Sequence, residues 1–267
     1  MTVFQAIVLG ALQGLSEFLP ISSSAHLTLA PWLFGWPDPG LAFDVALHVG
    51  TLAAVLWFFR REWVQLTAAA FRVVSQRGAR TPEERRAVFL LLATIPGGIG
   101  GLLLNDLAAT TFRSPALIAT TLVLMGALLW IVDRVVPPER DLDAMRWQDA
   151  LIIGLAQVCA LVPGVSRSGS TITAGRALRF DRQSGAVFSF LMSMPITAAA
   201  AAHEVPKAIA EGGFGAPLVA GVLASGLSGW LAISVLLRYV SRHDYKAFAL
   251  YRFALGALIF TLIAVRG

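Results

Sequence analysis

A chain of 267 residues that is 57% hydrophobic and only 14% charged lies far from soluble globular composition, where about a quarter of residues are charged. Its mean hydropathy of +0.71 places it among membrane proteins. The net charge of +5 comes from arginines between apolar runs, which excludes a nucleic-acid surface, and the single cysteine excludes an internal disulfide or a cysteine metal cluster.

The N-terminus has no charged n-region or small-residue cleavage pattern, so it is expected to belong to the fold rather than to a signal peptide. The first segment, about 3–35, is apolar but breaks at "EFLPISSS". Three uninterrupted runs follow, about 42–59, 87–105 and 115–133, with a basic stretch 60–86 read as a connecting loop. A second broken segment, about 147–178, is interrupted at "LVPGVSRSGS"; the runs about 184–201, 214–237 and 247–265 complete the chain. Each half of a broken segment has about 11–16 residues, or roughly 17–24 Å of helix. That is short of the ~20 residues a span needs. Both broken segments are therefore expected to be re-entrant hairpins. With no alternating strand pattern, helices rather than a barrel satisfy the backbone in lipid.

The expected fold is an all-α polytopic membrane protein, one integral domain over 1–267. It holds two inverted-topology repeats, about 1–135 and 147–267, each a re-entrant helix hairpin plus three transmembrane helices. A shift of 144 residues aligns Ala6, Gly10, Gln13, Ser22 and Ser24 with Ala150, Gly154, Gln157, Ser166 and Ser168. Three spans per half require the second half to be inverted. If 60–86 is cytoplasmic, sixteen basic residues fall inside against Arg113, Lys207 and Arg266 outside, as the positive-inside rule demands. The broken tips then enter from opposite sides and meet near the midplane. The glycine runs 96–101 and 221–229 are expected to let helices pack closely at corresponding places in the two halves.

Polar groups gather at those tips. Gln13 and Glu17 share a helix face. Pro20 ends the helix, and Ser22, Ser23 and Ser24 open the next, where N–H groups form an anion site. His26 follows Ser23 by one turn. At the second tip Pro163 and Gly164 break the helix, Arg167 offers a guanidinium fork, and Ser166, Ser168, Ser170 and Thr171 offer hydroxyls. An intramembrane charge costs ~2.5–3.5 kcal/mol on insertion scales, so Glu17 and Arg167 are read as functional. Asp44 and His48 share a face at the outer end of the first full span; a cap and a packing residue is the preferred reading, lining the entrance the alternative. Together the tips offer cationic and N–H donors for phosphate oxygens, a carboxylate able to hold a metal or take a proton, and a nucleophile, which fits an enzyme. A transporter or flippase for a phosphorylated lipid or anion is the alternative.

"GLSEFLPISSSAH" and "PGVSRSGST", with "FDVALHVGTL" and "FSFLMSMP", resemble the bacterial undecaprenyl-diphosphate phosphatase family, also known as the bacitracin-resistance proteins. The resemblance implies hydrolysis of undecaprenyl diphosphate to undecaprenyl phosphate and inorganic phosphate, recycling the cell-wall lipid carrier and conferring bacitracin resistance. It implies a divalent cation, magnesium or calcium, held at Glu17. It also implies Glu17, Ser23, His26 and Arg167 as catalytic, with the nucleophile open between Ser23 and His26. Gln13, Ser22, Ser24, Ser166, Ser168 and Thr171 are the expected substrate contacts. This chain has Gln13 where the motif often has glutamate, one carboxylate fewer. The expected partners are a polyprenyl diphosphate and membrane lipids, with a homodimer left open and no nucleic acid. The expected place is the bacterial inner membrane, with the site opening to the outer, periplasmic side.

Overall fold

The computed structural model describes residues 1–109, 114–212 and 215–266. Arg113 lies outside them, as do the side chains of Lys207 and Arg266. In chain order the helices are α1 (Val3–Phe18), α2 (Ser23–Phe34), α3 (Gly40–Phe58), α4 (Arg60–Gln76), α5 (Pro82–Ala109) and α6 (Pro115–Val135), then α7 (Trp147–Cys159), α8 (Arg167–Ala177), α9 (Arg182–Gly212), α10 (Ala216–Val240) and α11 (Lys246–Arg266). No β-strand is found among the described residues. Segments of α5, α6, α9, α10 and α11 are long and apolar enough to cross a membrane, and the bent pair α3–α4 meets the same test only when its two helices are taken together.

Local chemistry sets the hairpins. Thr2 caps α1 in a capping box with Gln5, and Pro20 holds Leu19 extended at ψ 138°, so the helix stops at Phe18. Ser22 then caps α2. The second hairpin repeats the plan: α7 ends at Cys159, six turn and bend residues (160–165) follow, and Ser166 caps α8. The four half-helices have 16, 12, 13 and 11 residues.

The halves pack by exchange. α1 lies on α10 and α7 on α5; α3 lies on α10 and α9 on α5; α3 meets α9 and α6 meets α11. The expected small-residue contacts occur at these seams. A Cβ at Gly10 would sit 2.1 Å from the Gly221 carbonyl oxygen, and one at Gly154 would sit 2.5 Å from that of Ala93. Neither backbone can approach so closely with a larger residue. Phe18, Ile172, Phe188, Phe190 and Leu236 join the main apolar core beneath the tips.

The structure corrects the reading of 60–86 as a loop. Residues Arg60–Gln76 are a helix bent 84° from α3, and α5 begins at Pro82. The arginines there hid a helical repeat: Leu66 and Ala69 are buried, whereas Val64, Phe71 and Val74 are exposed.

Candidate active site

The two tips touch. The Gly164 amide donates to Ser22 Oγ (3.1 Å), and the Ser168 hydroxyl donates to the Leu19 carbonyl (3.1 Å). Both capping serines adopt left-handed backbone, Ser22 at φ 76° and Ser166 at φ 73°. Non-glycine residues held so cost about 1–3 kcal/mol and cluster at functional sites. Each serine accepts from a backbone amide three residues on, Ala25 at 3.4 Å and Gly169 at 3.0 Å. Each also pairs with the serine two residues on, Ser24 at 3.2 Å and Ser168 at 3.3 Å.

Glu17 stands between the tips, buried at 7% exposure. Its Oε1 accepts from Arg167 Nη2 at 2.7 Å and Nε at 3.3 Å. Its Oε2 accepts from the Ser23 hydroxyl at 2.6 Å and from Gln13 Nε2 at 3.1 Å, with His48 Nε2 3.4 Å away. Arg167 also donates to the Ser189 carbonyl (3.1 Å). A cavity of about 190 Å3 opens here, lined by Glu17, Ser23, Ser24, Ser166 and Arg167 from the tips and by His48 of α3, with Val45, Ile196 and Ala200 as an apolar wall.

Not every expected residue faces that cavity. His26 points away from Ser23. Its Nδ1 meets the Ser22 carbonyl at 2.7 Å and its Nε2 the Tyr251 hydroxyl at 2.6 Å, with the rings stacked. Thr171 bonds the Arg167 carbonyl at 2.8 Å and Ser189 Oγ at 2.7 Å, and Ser170 bonds the Arg167 carbonyl at 3.1 Å. Gln13, Ser22 and Ser168 do not line the cavity; they bond Glu17, the Gly164 amide and the Leu19 carbonyl in turn.

Two further residues bear on the site. His48, for which packing was preferred over lining the entrance, lines the cavity. Arg252 of α11 is fully buried. It donates to the carbonyls of Pro20 (3.1 Å), Gly164 (2.8 Å), Val165 (3.1 Å) and Leu122 (3.0 Å), so one guanidinium pins both breaks to α6.

The residues do not form a resident site for a divalent cation. Glu17 is the one carboxylate on the cavity, and both its oxygens are engaged by neighbouring donors. Among the described residues no three or more His, Cys, Asp or Glu side chains converge. Magnesium and calcium ask for six or more oxygens.

Comparison with known proteins follows the same residues. The model of the family described as bacitracin resistance protein BacA matches residues 6–258. The chain belongs to the BacA family. A relative from Gemmatimonas aurantiaca named undecaprenyl-diphosphatase is 61% identical over 266 residues, covering 100% of both chains. Relatives of the same name from Moorella thermoacetica and Pelotomaculum thermopropionicum are 49% and 47% identical over 100% of this chain, covering 100% and 98% of their own lengths. BacA family membership spans both tips, α3 with His48, and α11 with Arg252.

Proposed function

We propose that this chain hydrolyses undecaprenyl diphosphate to undecaprenyl phosphate and inorganic phosphate in the bacterial inner membrane, and that its site opens outward. The observation that carries the mechanism is the Ser23 hydroxyl held 2.6 Å from one oxygen of Glu17 while Arg167 holds the other at 2.7 Å. Family membership and the relatives' shared name support the substrate.

The diphosphate enters the cavity and its oxygens take donors from Arg167, Ser24, Ser166 and the first amides of α2 and α8. Glu17 accepts the Ser23 proton as Ser23 Oγ attacks the terminal phosphorus. The bridging P–O bond breaks, and its electron pair leaves on undecaprenyl phosphate. A phosphate leaving group needs little protonation, so Arg167 serves it by charge alone. Glu17 then loses that proton to solvent as undecaprenyl phosphate departs, takes a proton from a water whose oxygen attacks the phosphoserine phosphorus, and returns it to Ser23 Oγ as the Oγ–P bond breaks and inorganic phosphate leaves. A carrier would need the anion site but not a serine held on a carboxylate, which favours the enzyme over a transporter or flippase. A divalent cation, magnesium or calcium, would come with the substrate's own oxygens rather than wait in the protein.

The outward opening rests on the hairpin that carries Glu17 and Ser23, which by the positive-inside asymmetry enters from the side away from the basic residues. Counting from the arginine-rich ends, His48 is about 18 Å along α3 from Arg60, and Thr197 about 22 Å along α9 from Arg182, at 1.5 Å per residue. Both therefore lie at about the middle of their helices, where the two tips meet. The apolar wall leaves room for the prenyl tail to exit toward lipid.

The test is phosphate release from a polyprenyl diphosphate by purified protein, with acid-quenched trapping of phosphoserine. Release lost in Ser23→Ala, with label on Ser23 in the wild type, is the expected result. No release from folded wild-type protein would overturn the reading, and release without label would overturn the covalent step.

A further inference from the structure

α4 lies outside the site just described, and its shape suggests a second role. α3 alone, at 19 residues, is about 28 Å long and already sufficient to span the hydrocarbon. The chain then turns 84° at Phe59, so α4 runs nearly at right angles to a span, along the membrane surface instead of back into it. Residues Arg60 and Arg61 stand at the turn, where a re-entrant segment would have to bury them.

α4 has three faces. Leu66 and Ala69 are buried on the side packed against α5. Arg61, Gln65 and Arg72 project from a polar face. The third face carries Val64, Phe71 and Val74 at 71%, 73% and 78% exposure. Along it runs an apolar groove of about 420 Å3 lined by Trp63, Val64, Thr67, Ala68 and Phe71. An apolar face of that size on a helix beside spans belongs in the acyl boundary, not in water. The charge indicates which lipid covers it. α4 and its C-cap carry Arg60, Arg61 and Arg77 against one acid, Glu62, while Arg72 is paired with Glu84 of α5 at 3.0 Å, and α4 sits at the arginine-rich end of the molecule.

We infer that α4 is an interfacial anchor whose apolar groove takes the acyl chains, and whose arginines take the headgroups, of anionic phospholipid on the leaflet facing the arginine-rich end. It fixes the depth of α3, and so of His48 and the cavity, relative to the bilayer. The inference does not depend on the phosphatase reading.

The test uses the full chain with Cys159→Ser in nanodiscs of phosphatidylcholine with phosphatidylglycerol. Spin labels at Val64→Cys, Phe71→Cys and Gln65→Cys are compared for collision with oxygen and with a water-soluble nickel chelate. Labels at 64 and 71 should favour oxygen, and the label at 65 nickel. Equal nickel access at all three would overturn the inference. Native mass spectrometry then counts retained phosphatidylglycerol against phosphatidylcholine. Arg61→Gln and Arg77→Gln, both exposed and outside the core, should each lower phosphatidylglycerol preference about fivefold. Unchanged preference in both would rule out anionic lipid as the occupant and leave a neutral acyl surface.

Discussion

The two hairpin tips have one backbone and two chemistries. Ser22 and Ser166 share a left-handed conformation, the same amide cap and the same serine neighbour. Among the aligned positions where they differ, three carry the chemistry: Glu17 aligns with Leu161, Ser23 with Arg167 and His26 with Ser170 under the shift of 144. The duplicated part is what any anion site needs, a helix N-terminus with its caps. The diverged part divides the labour, a carboxylate and a hydroxyl on one tip and a guanidinium on the other. Because Glu17 and Arg167 pair across the seam, neither tip makes a site alone.

The strongest way to break that comparison is to remove the acid or its partner. Glu17→Gln and Ser23→Ala should each cut turnover by about a thousandfold or more, and the double variant should fall little further, because both act in one proton transfer. Additive losses in steady-state kinetics would separate the two residues. Arg167→Lys keeps the charge but loses the fork that spans Glu17 and substrate. A loss of about 10^2–10^3 in kcat is expected, and full activity would show that point charge suffices.

How much of this was legible follows from the range of each interaction. Gln13 and Glu17 are one turn apart, the capping serines follow a proline by a few residues, and short half-helices announce hairpins; these are local rules. The positive-inside asymmetry carried the tips to a common depth. The partners of His26 were not legible. Its spacing put it on the Ser23 face, but Tyr251 arrives from the far end of the chain and takes its Nε2. The role of Arg252 was not legible, because its partners are backbone carbonyls, which leave no mark in residue type. α4 was missed for the opposite reason. Its periodic apolar face was present, but the density of arginine drew the reading toward a loop.

Arg252 gives a middle-sized test of whether the tips depend on a shared clamp. Arg252→Met leaves the carbonyls of Pro20, Gly164 and Val165 without a donor in a dry interior, where each unpaired group costs about 1–3 kcal/mol. A lower thermal midpoint with kcat reduced about ten- to a hundredfold is expected, and KM should rise less, since the tips lose alignment rather than charge. Arg252→Lys should recover part of the midpoint and less of kcat. Loss of KM alone would instead place Arg252 on the substrate.

The smallest expected effect distinguishes a brace from a chemical group at His26. Both ring nitrogens are engaged, one by the Ser22 carbonyl and one by the Tyr251 hydroxyl, so the imidazole ties the strained cap of the first tip to α11. If that is its whole part, Tyr251→Phe should remove one hydrogen bond worth about 1 kcal/mol, and turnover should fall no more than about fivefold. His26→Asn can keep a bond to the Ser22 carbonyl and should fall within a similar range, with an unchanged pH–rate profile. An acid–base histidine would behave otherwise. His26→Asn would then lose 10^2–10^4 and one limb of the profile, while Tyr251→Phe stayed near wild type. The two variants measured side by side thus read the role from their ratio: near unity for a brace, orders of magnitude for a proton carrier.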